Sequence, residues 1–220
     1  MFRRRIYGGM PIAPSESVGN SIIYVQAPWH KDLSPYNRSI YRETQFLDAK
    51  VQGLWAFHSS YAYGGLVFND GNEMKPERQN DFAMELKFLL TTKDLDPNET
   101  YFILSGNYGY NICGFRFGVR LSDDNARVNP YDFTDRNIQL PIGVWTHYML
   151  TWKQGVGRVY VNGEFVEQNS VAYFSDFYPS TYNVGGTNQF EVLMFPGYIR
   201  YVKVWNYAKN FDLDKFVPDP

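Results

Sequence analysis

Three histidines, one cysteine and a scatter of carboxylates hold most of the reactive chemistry in this chain of 220 residues. Their spacing limits what they can do. His30, His58 and His147 are far apart and no H-E-x-x-H run is present, so no zinc site is expected. Cys113 is the single cysteine, which excludes an intrachain disulfide and a paired C-x-x-C metal site. It lies in the strand-like run "GYNICGFRFGVR" and reads as a buried structural thiol rather than a nucleophile. Carboxylates two apart on a strand share a face, and such a pair can supply nucleophile and acid for glycoside cleavage. Here Glu85 stands alone in "AMELKF". Asp123 and Asp124 are neighbours that would point oppositely, and Glu164 and Glu167 lie three apart around the end of a hairpin. Neither G-x-S-x-G nor G-x-x-x-x-G-K-[ST] occurs. The residues predict a protein that is not an enzyme.

Composition narrows the class. Hydrophobic residues make up 44% and charged residues 20%, ordinary values for a soluble globular protein. Aromatics reach 18%, and such rings suit both half-buried strands and contact surfaces. The net charge of −2 gives no case for nucleic acid, which requires a basic face. The start, "MFRRRIYGGMPIAPSESVG", is basic but lacks the apolar core of a Sec signal peptide, so a product made in the cytoplasm is expected. No run of about 18 apolar residues marks a membrane span, so no membrane insertion is expected.

The elements that must position these residues are strands. Residues 1–19, with Gly8-Gly9, Pro11 and Pro14, read as an N-terminal arm. Residues 20–212 read as one β domain and 213–220 as a C-terminal tail. Within the domain, "SIIYVQA", "YGGLVFNDG", "DFAMELKFLLTT", "ETYFILSG" and "CGFRFGVRLSDDN" are short strand-like runs divided by turn signals. In "GYIRYVKVWNYA", strict alternation sets Tyr198, Arg200, Val202 and Val204 against Ile199, Tyr201, Lys203 and Trp205. No segment has a convincing helical period. The pattern predicts an all-β, antiparallel two-sheet sandwich or a barrel. "WTHYMLTWKQGVGRVYVNGEFV" is the clearest hairpin region. Asn162-Gly163 is a type I′ turn signal joining Val161 directly to Glu164, and "KQGVGR" reads as a looser link upstream.

These residues resemble a known family. "VWTHYMLTWKQGVGRVYVNGEFV" is similar to the W-x-H…Y-V-(N/D)-G pattern of laminin G-like domains in the concanavalin A-like lectin/glucanase superfamily, through Trp145, His147, Tyr160, Val161, Asn162 and Gly163. "IIYVQAPWHKDLSPYNR", "GGLVFNDG", "NDFAMELKFLL" and "YNVGGTNQ…FPGYIRYVKVWNYA" match further family motifs in order, from about Ile22 to about Phe216. The resemblance implies a concanavalin A-like jelly-roll sandwich, with His147 packing or hydrogen-bonding between layers. Glycan-cleaving members carry an E-x-D-x-x-E strand that this sequence lacks. Members often bind Ca²⁺ through loop oxygens. The candidate ligands here are Asp70 and Asn72 in "NDGNE" and Asp123 and Asp124 in "SDDNA", residues that equally make turns.

Sandwiches of this type bind with end loops or the concave face. The aromatic segment "VAYFSDFYPSTY" therefore supplies candidate ligand contacts at Tyr173, Phe174, Phe177 and Tyr178, and "NYGYN" supplies Tyr108 and Tyr110. Such rings stack on sugars or anchor protein interfaces. Arg3, Arg4, Arg5, Ile6 and Tyr7 are candidate docking residues of the arm. The expectation is a non-enzymatic structural or adhesive module of a bacteriophage virion, docked on other virion proteins and binding host glycans. The alternatives are a free carbohydrate-binding protein and a glycan-active enzyme.

Overall fold

The computed structural model describes residues 23–27, 33–34, 37, 40–44, 46–59, 65–69, 82–92, 100–108, 111–122, 125–130, 140–153, 156–169, 181–186 and 195–205. Among them the ordered elements are all strands, and no helix is long and apolar enough to cross a membrane. The first strands are β1 (Ile23–Gln26), β2 (Ile40–Thr44), β3 (Phe46–Val51), β4 (Leu54–Ser59) and β5 (Gly65–Asn69). Next come β6 (Phe82–Leu90), β7 (Thr100–Tyr108), β8 (Asn111–Ser122) and β9 (Asn125–Pro130). The last are β10 (Trp145–Lys153), β11 (Val156–Val161), β12 (Glu164–Asn169), β13 (Thr181–Val184) and β14 (Gly197–Trp205).

The strands form two antiparallel sheets, as predicted. The larger runs β12-β11-β10-β6-β14-β4-β3, with β1 also on β14, and the smaller runs β2-β5-β13-β7-β8-β9. One edge of β14 is divided: Tyr198 and Ile199 pair with β4, and Tyr201 to Val204 pair with β1. Its other edge lies on β6 throughout.

Alternation in β6 sends Met84, Leu86, Phe88 and Leu90 into the core. Tyr148 and Leu150 of β10 join them, each paired in register with β6. Rings close the gap between sheets: Phe117 of β8 lies 5.5 Å from Phe88 and 4.5 Å from Tyr148, centroid to centroid. Burying each such ring contributes about 1.5–3 kcal/mol, so these contacts hold the two layers together.

The hairpin turn is as read. Asn162 and Gly163 have φ of 52° and 84°, and Val161 pairs with Glu164. The upstream link is tighter than expected: the β10–β11 ladder continues to Lys153 opposite Val156.

The faces of β14 need correction. The β14–β6 register shifts between Ile199 and Tyr201, so Arg200 is the extra residue of a β-bulge. The bulge moves Ile199 into the core with Val202 and Val204, and Tyr198 onto the other face with Tyr201 and Lys203. Strict alternation had divided them otherwise. Gly197, at the start of β14, admits no side chain: a Cβ there would meet the Leu89 carbonyl oxygen.

Candidate functional site

The residues singled out for ligand and metal binding fall almost wholly outside the described residues. That holds for Tyr173, Phe174, Phe177, Tyr178, Tyr110, Asp70, Asn72, Asp123 and Asp124, and for Arg3, Arg4, Arg5, Ile6 and Tyr7. Tyr108 ends β7, its backbone paired with Asn111. Among the described residues no group of three or more His, Cys, Asp or Glu is placed to hold a metal ion.

The described residues place a different group together, on the outer face of the larger sheet. Residues between the core positions of β6, β10 and β14 point away from the smaller sheet. Register therefore sets Glu85 beside Lys203 on one side and Met149 on the other, and continues the row through Tyr160 to Phe165. At the centre, Glu85 Oε1 accepts hydrogen bonds from the Tyr201 hydroxyl at 2.5 Å and His147 Nε2 at 3.2 Å. Lys203 Nζ lies 3.9 Å from Glu85 Oε2 and 4.4 Å from the centroid of the Tyr201 ring. Glu85, Lys203 and His147 are 2%, 3% and 5% exposed. Charges this deep persist only when paired, and here the Lys203 ammonium and the Glu85 carboxylate face each other.

His147 thus hydrogen-bonds as expected, but across the face of one sheet rather than between layers. Its backbone also meets the turn: its N–H donates to Asn162 Oδ1 at 2.9 Å, and its carbonyl accepts from Asn162 N at 2.7 Å. The buried cluster is thereby tied to the β11–β12 hairpin.

That hairpin carries the exposed end of the same face. Phe165 is 57% exposed and meets the half-buried Tyr160 ring edge-on, with centroids 5.7 Å apart. Beside them Arg158 Nε donates to Gln168 Oε1 at 3.0 Å, both side chains exposed. A second bulge makes this possible. The β11–β12 register shifts so that Tyr160 faces Phe165, Val159 faces Glu167 and Arg158 faces Gln168, leaving Val166 as the extra residue. Phe165 and Gln168, three apart, therefore share one face. Glu164 and Glu167 share the other, opposite Val161 and Val159.

An apolar ring pair beside a planar guanidinium–amide pair is equipped to bind a ligand with both a flat apolar face and polar edges. The sequence reading missed it because the hairpin was taken as structural. Part of the signal was present: a two-residue turn fixes Val161 against Glu164, and counting outward puts Tyr160 against Phe165.

A family model described as the concanavalin A-like lectin/glucanases superfamily, of laminin G-like type, matches residues 71–212. No curated protein matches the sequence significantly. Among solved structures, the binding domain of Paraclostridial Mosquitocidal Protein 1 is similar at a TM-score of 0.62 and 14% identity, over 87% of this chain and 50% of that one. The ligand-binding domain of botulinum neurotoxin serotype D, solved with N-acetylneuraminic acid, is similar at 0.58 and 12% identity, over 86% and 48%. The receptor-binding domain of botulinum neurotoxin type G is similar at 0.56 and 11%, over 90% and 50%. This chain spans about half the length of these structures, and at such identities the likeness is one of fold.

Proposed function

The chain belongs to the laminin G-like group of the concanavalin A-like lectin/glucanase superfamily, and from that membership we propose that it is a non-enzymatic saccharide-binding module. The observation that carries the reading is the exposed Phe165 set against the half-buried Tyr160, flanked by Arg158 and Gln168 on one sheet face. A sugar ring has apolar C–H faces that stack on an aromatic ring and hydroxyl edges that hydrogen-bond planar polar side chains. The solved structures of similar fold are named as binding domains, one of them in complex with N-acetylneuraminic acid, which supports the same class of ligand.

A binding role also suits the carboxylates. Among the described residues of the larger sheet, Glu85 is the one carboxylate on the outer face, and its Oε1 is held by Tyr201 and His147. Hydrolysis by the usual route requires two carboxyl groups flanking one bond. A mounting in a virion through the basic arm, and calcium at Asp70, Asn72, Asp123 and Asp124, draw on residues outside the described ones. Co-purification with assembly proteins and binding assays with and without EDTA test them.

A glycan array tests the main reading. Wild-type protein is expected to bind, and Phe165→Ala is expected to weaken binding about tenfold, the size of a lost aromatic anchor. A blank array, with the protein folded and calcium present, rejects the proposal.

A further inference from the structure

We infer that the saccharide bound at the β11–β12 face is an acidic one, its carboxylate received by Arg158. The inference rests on the saccharide-binding reading above and adds the class of sugar. Gln168 Oε1 occupies Arg158 Nε at 3.0 Å. With Nε engaged, the two terminal amino groups of the guanidinium are left as an end-on fork, the geometry that takes both oxygens of a carboxylate. Gln168 is therefore the positioning residue and Arg158 the contact.

The surrounding charge agrees. On the outer face of β6, β10, β11, β12 and β14, the described side chains include Arg158, Lys87 and Lys203 against the single carboxylate of Glu85. Among the described side chains of this face cations outnumber carboxylates, although the whole chain is formally −2. The acids nearest in sequence, Glu164 and Glu167, sit opposite Val161 and Val159 on the other face of the hairpin. They do not line the surface that Arg158 presents. Phe165 lies diagonally from Arg158 across the strand pair, a Cα separation of about 7–8 Å. A pyranose stacked on Phe165 brings a carboxylate on its ring within the reach of the guanidinium. Tyr160, the cross-strand partner of Phe165, meets its ring edge-on and supports the platform.

The test uses the full chain on an array of neutral, sialylated, uronate-containing and sulfated glycans, followed by titration calorimetry. The calorimetry compares the best carboxylated ligand with its methyl ester, which removes the charge alone. Wild-type protein is expected to prefer the acid about tenfold or more, the strength of a charge-assisted pair. Arg158→Gln is expected to abolish the preference while retaining the ester-level affinity, and Arg158→Lys to keep part of it. Phe165→Ala is expected to weaken acid and ester alike. Equal wild-type affinity for acid and ester overturns the inference, as does binding of neutral or sulfated glycans alone. So does an Arg158→Gln variant that still discriminates. In each of those cases, loss of binding in Phe165→Ala leaves the saccharide-binding reading standing. A blank array overturns both.

Discussion

Glu85, Lys203, His147 and Tyr201 come together from β6, β10 and β14, and their energies are those of a buried ion cluster. Removing one member of such a pair leaves the other charged and desolvated, whereas removing both is often neutral. Glu85→Ala is therefore expected to lower stability by about 3 kcal/mol or more, and adding Lys203→Met to restore part of the loss. Urea midpoints of the single and double variants check this, and additive losses would contradict it. Tyr148 poses the opposite case. Its hydroxyl is buried in the core with no hydrogen-bond partner among the described residues, and burial pushes the phenol well above its ordinary range. Tyr148→Phe is expected to be neutral or to stabilise by about 1 kcal/mol. The raised phenol also makes folding sensitive to alkali. Below the ordinary tyrosine range, about pH 10, its protonated form is shared by both states; above it the unfolded chain loses the proton and the folded one keeps it. Stability should thus fall as pH rises past that point, by about 1.4 kcal/mol per pH unit from this group. In Tyr148→Phe that share of the slope should vanish from paired denaturation curves. Little of the cluster was legible in sequence. Alternation puts Glu85 and His147 on the faces of their strands away from the core, but only the β6–β10 register makes them neighbours.

Two elements decide which side chains reach the outer face, and both do so by one extra residue. In β14 the bulge at Arg200 lets Ile199 and Val202, three apart, both enter the core. The Arg200 guanidinium then fastens the divided edge, Nη1 donating to the carbonyls of Ala27 at 2.9 Å and Trp55 at 3.1 Å. In β12 the bulge at Val166 brings Gln168, not Glu167, to Arg158. Regular counting from the Asn162-Gly163 turn yields the Tyr160–Phe165 pair and then fails. A bulge leaves good alternation on either side of it, so the strands themselves were readable while their faces past the bulge were not. Two apolar residues three apart, as at Ile199 and Val202, are the trace such an insertion leaves in sequence. The turn that fixes the register should be correspondingly sensitive. Asn162 combines a positive φ with the side-chain acceptor for His147 N–H. Asn162→Ala is expected to cost about 1–2 kcal/mol, and Asn162→Gly less, because glycine keeps the φ and loses only the bond. Thermal melts of the two variants rank them, and a reversed order would show that the backbone strain is negligible.

At the scale of the whole molecule, charge is distributed against the average. A chain of formal charge −2 presents Arg158, Lys87 and Lys203 on a face whose one described carboxylate is Glu85. Lys203 and Glu85 are buried beside each other and largely cancel at a distance, so among the described side chains the exposed Arg158 is the charge this face turns to solvent. Exposed charges are screened by salt over about 10 Å at 0.1 M and about 3 Å at 1 M, whereas stacking on Phe165 is not. Affinity for a carboxylated saccharide should therefore fall several-fold between low and high salt, while affinity for its methyl ester should change little. In Arg158→Gln the salt dependence of the acid should shrink toward that of the ester. Calorimetric titrations of wild type and variant at two ionic strengths separate the contributions. A salt effect that survives Arg158→Gln undiminished would move the electrostatic role to Lys87. One absent in the wild type would mean that the face binds through its rings alone.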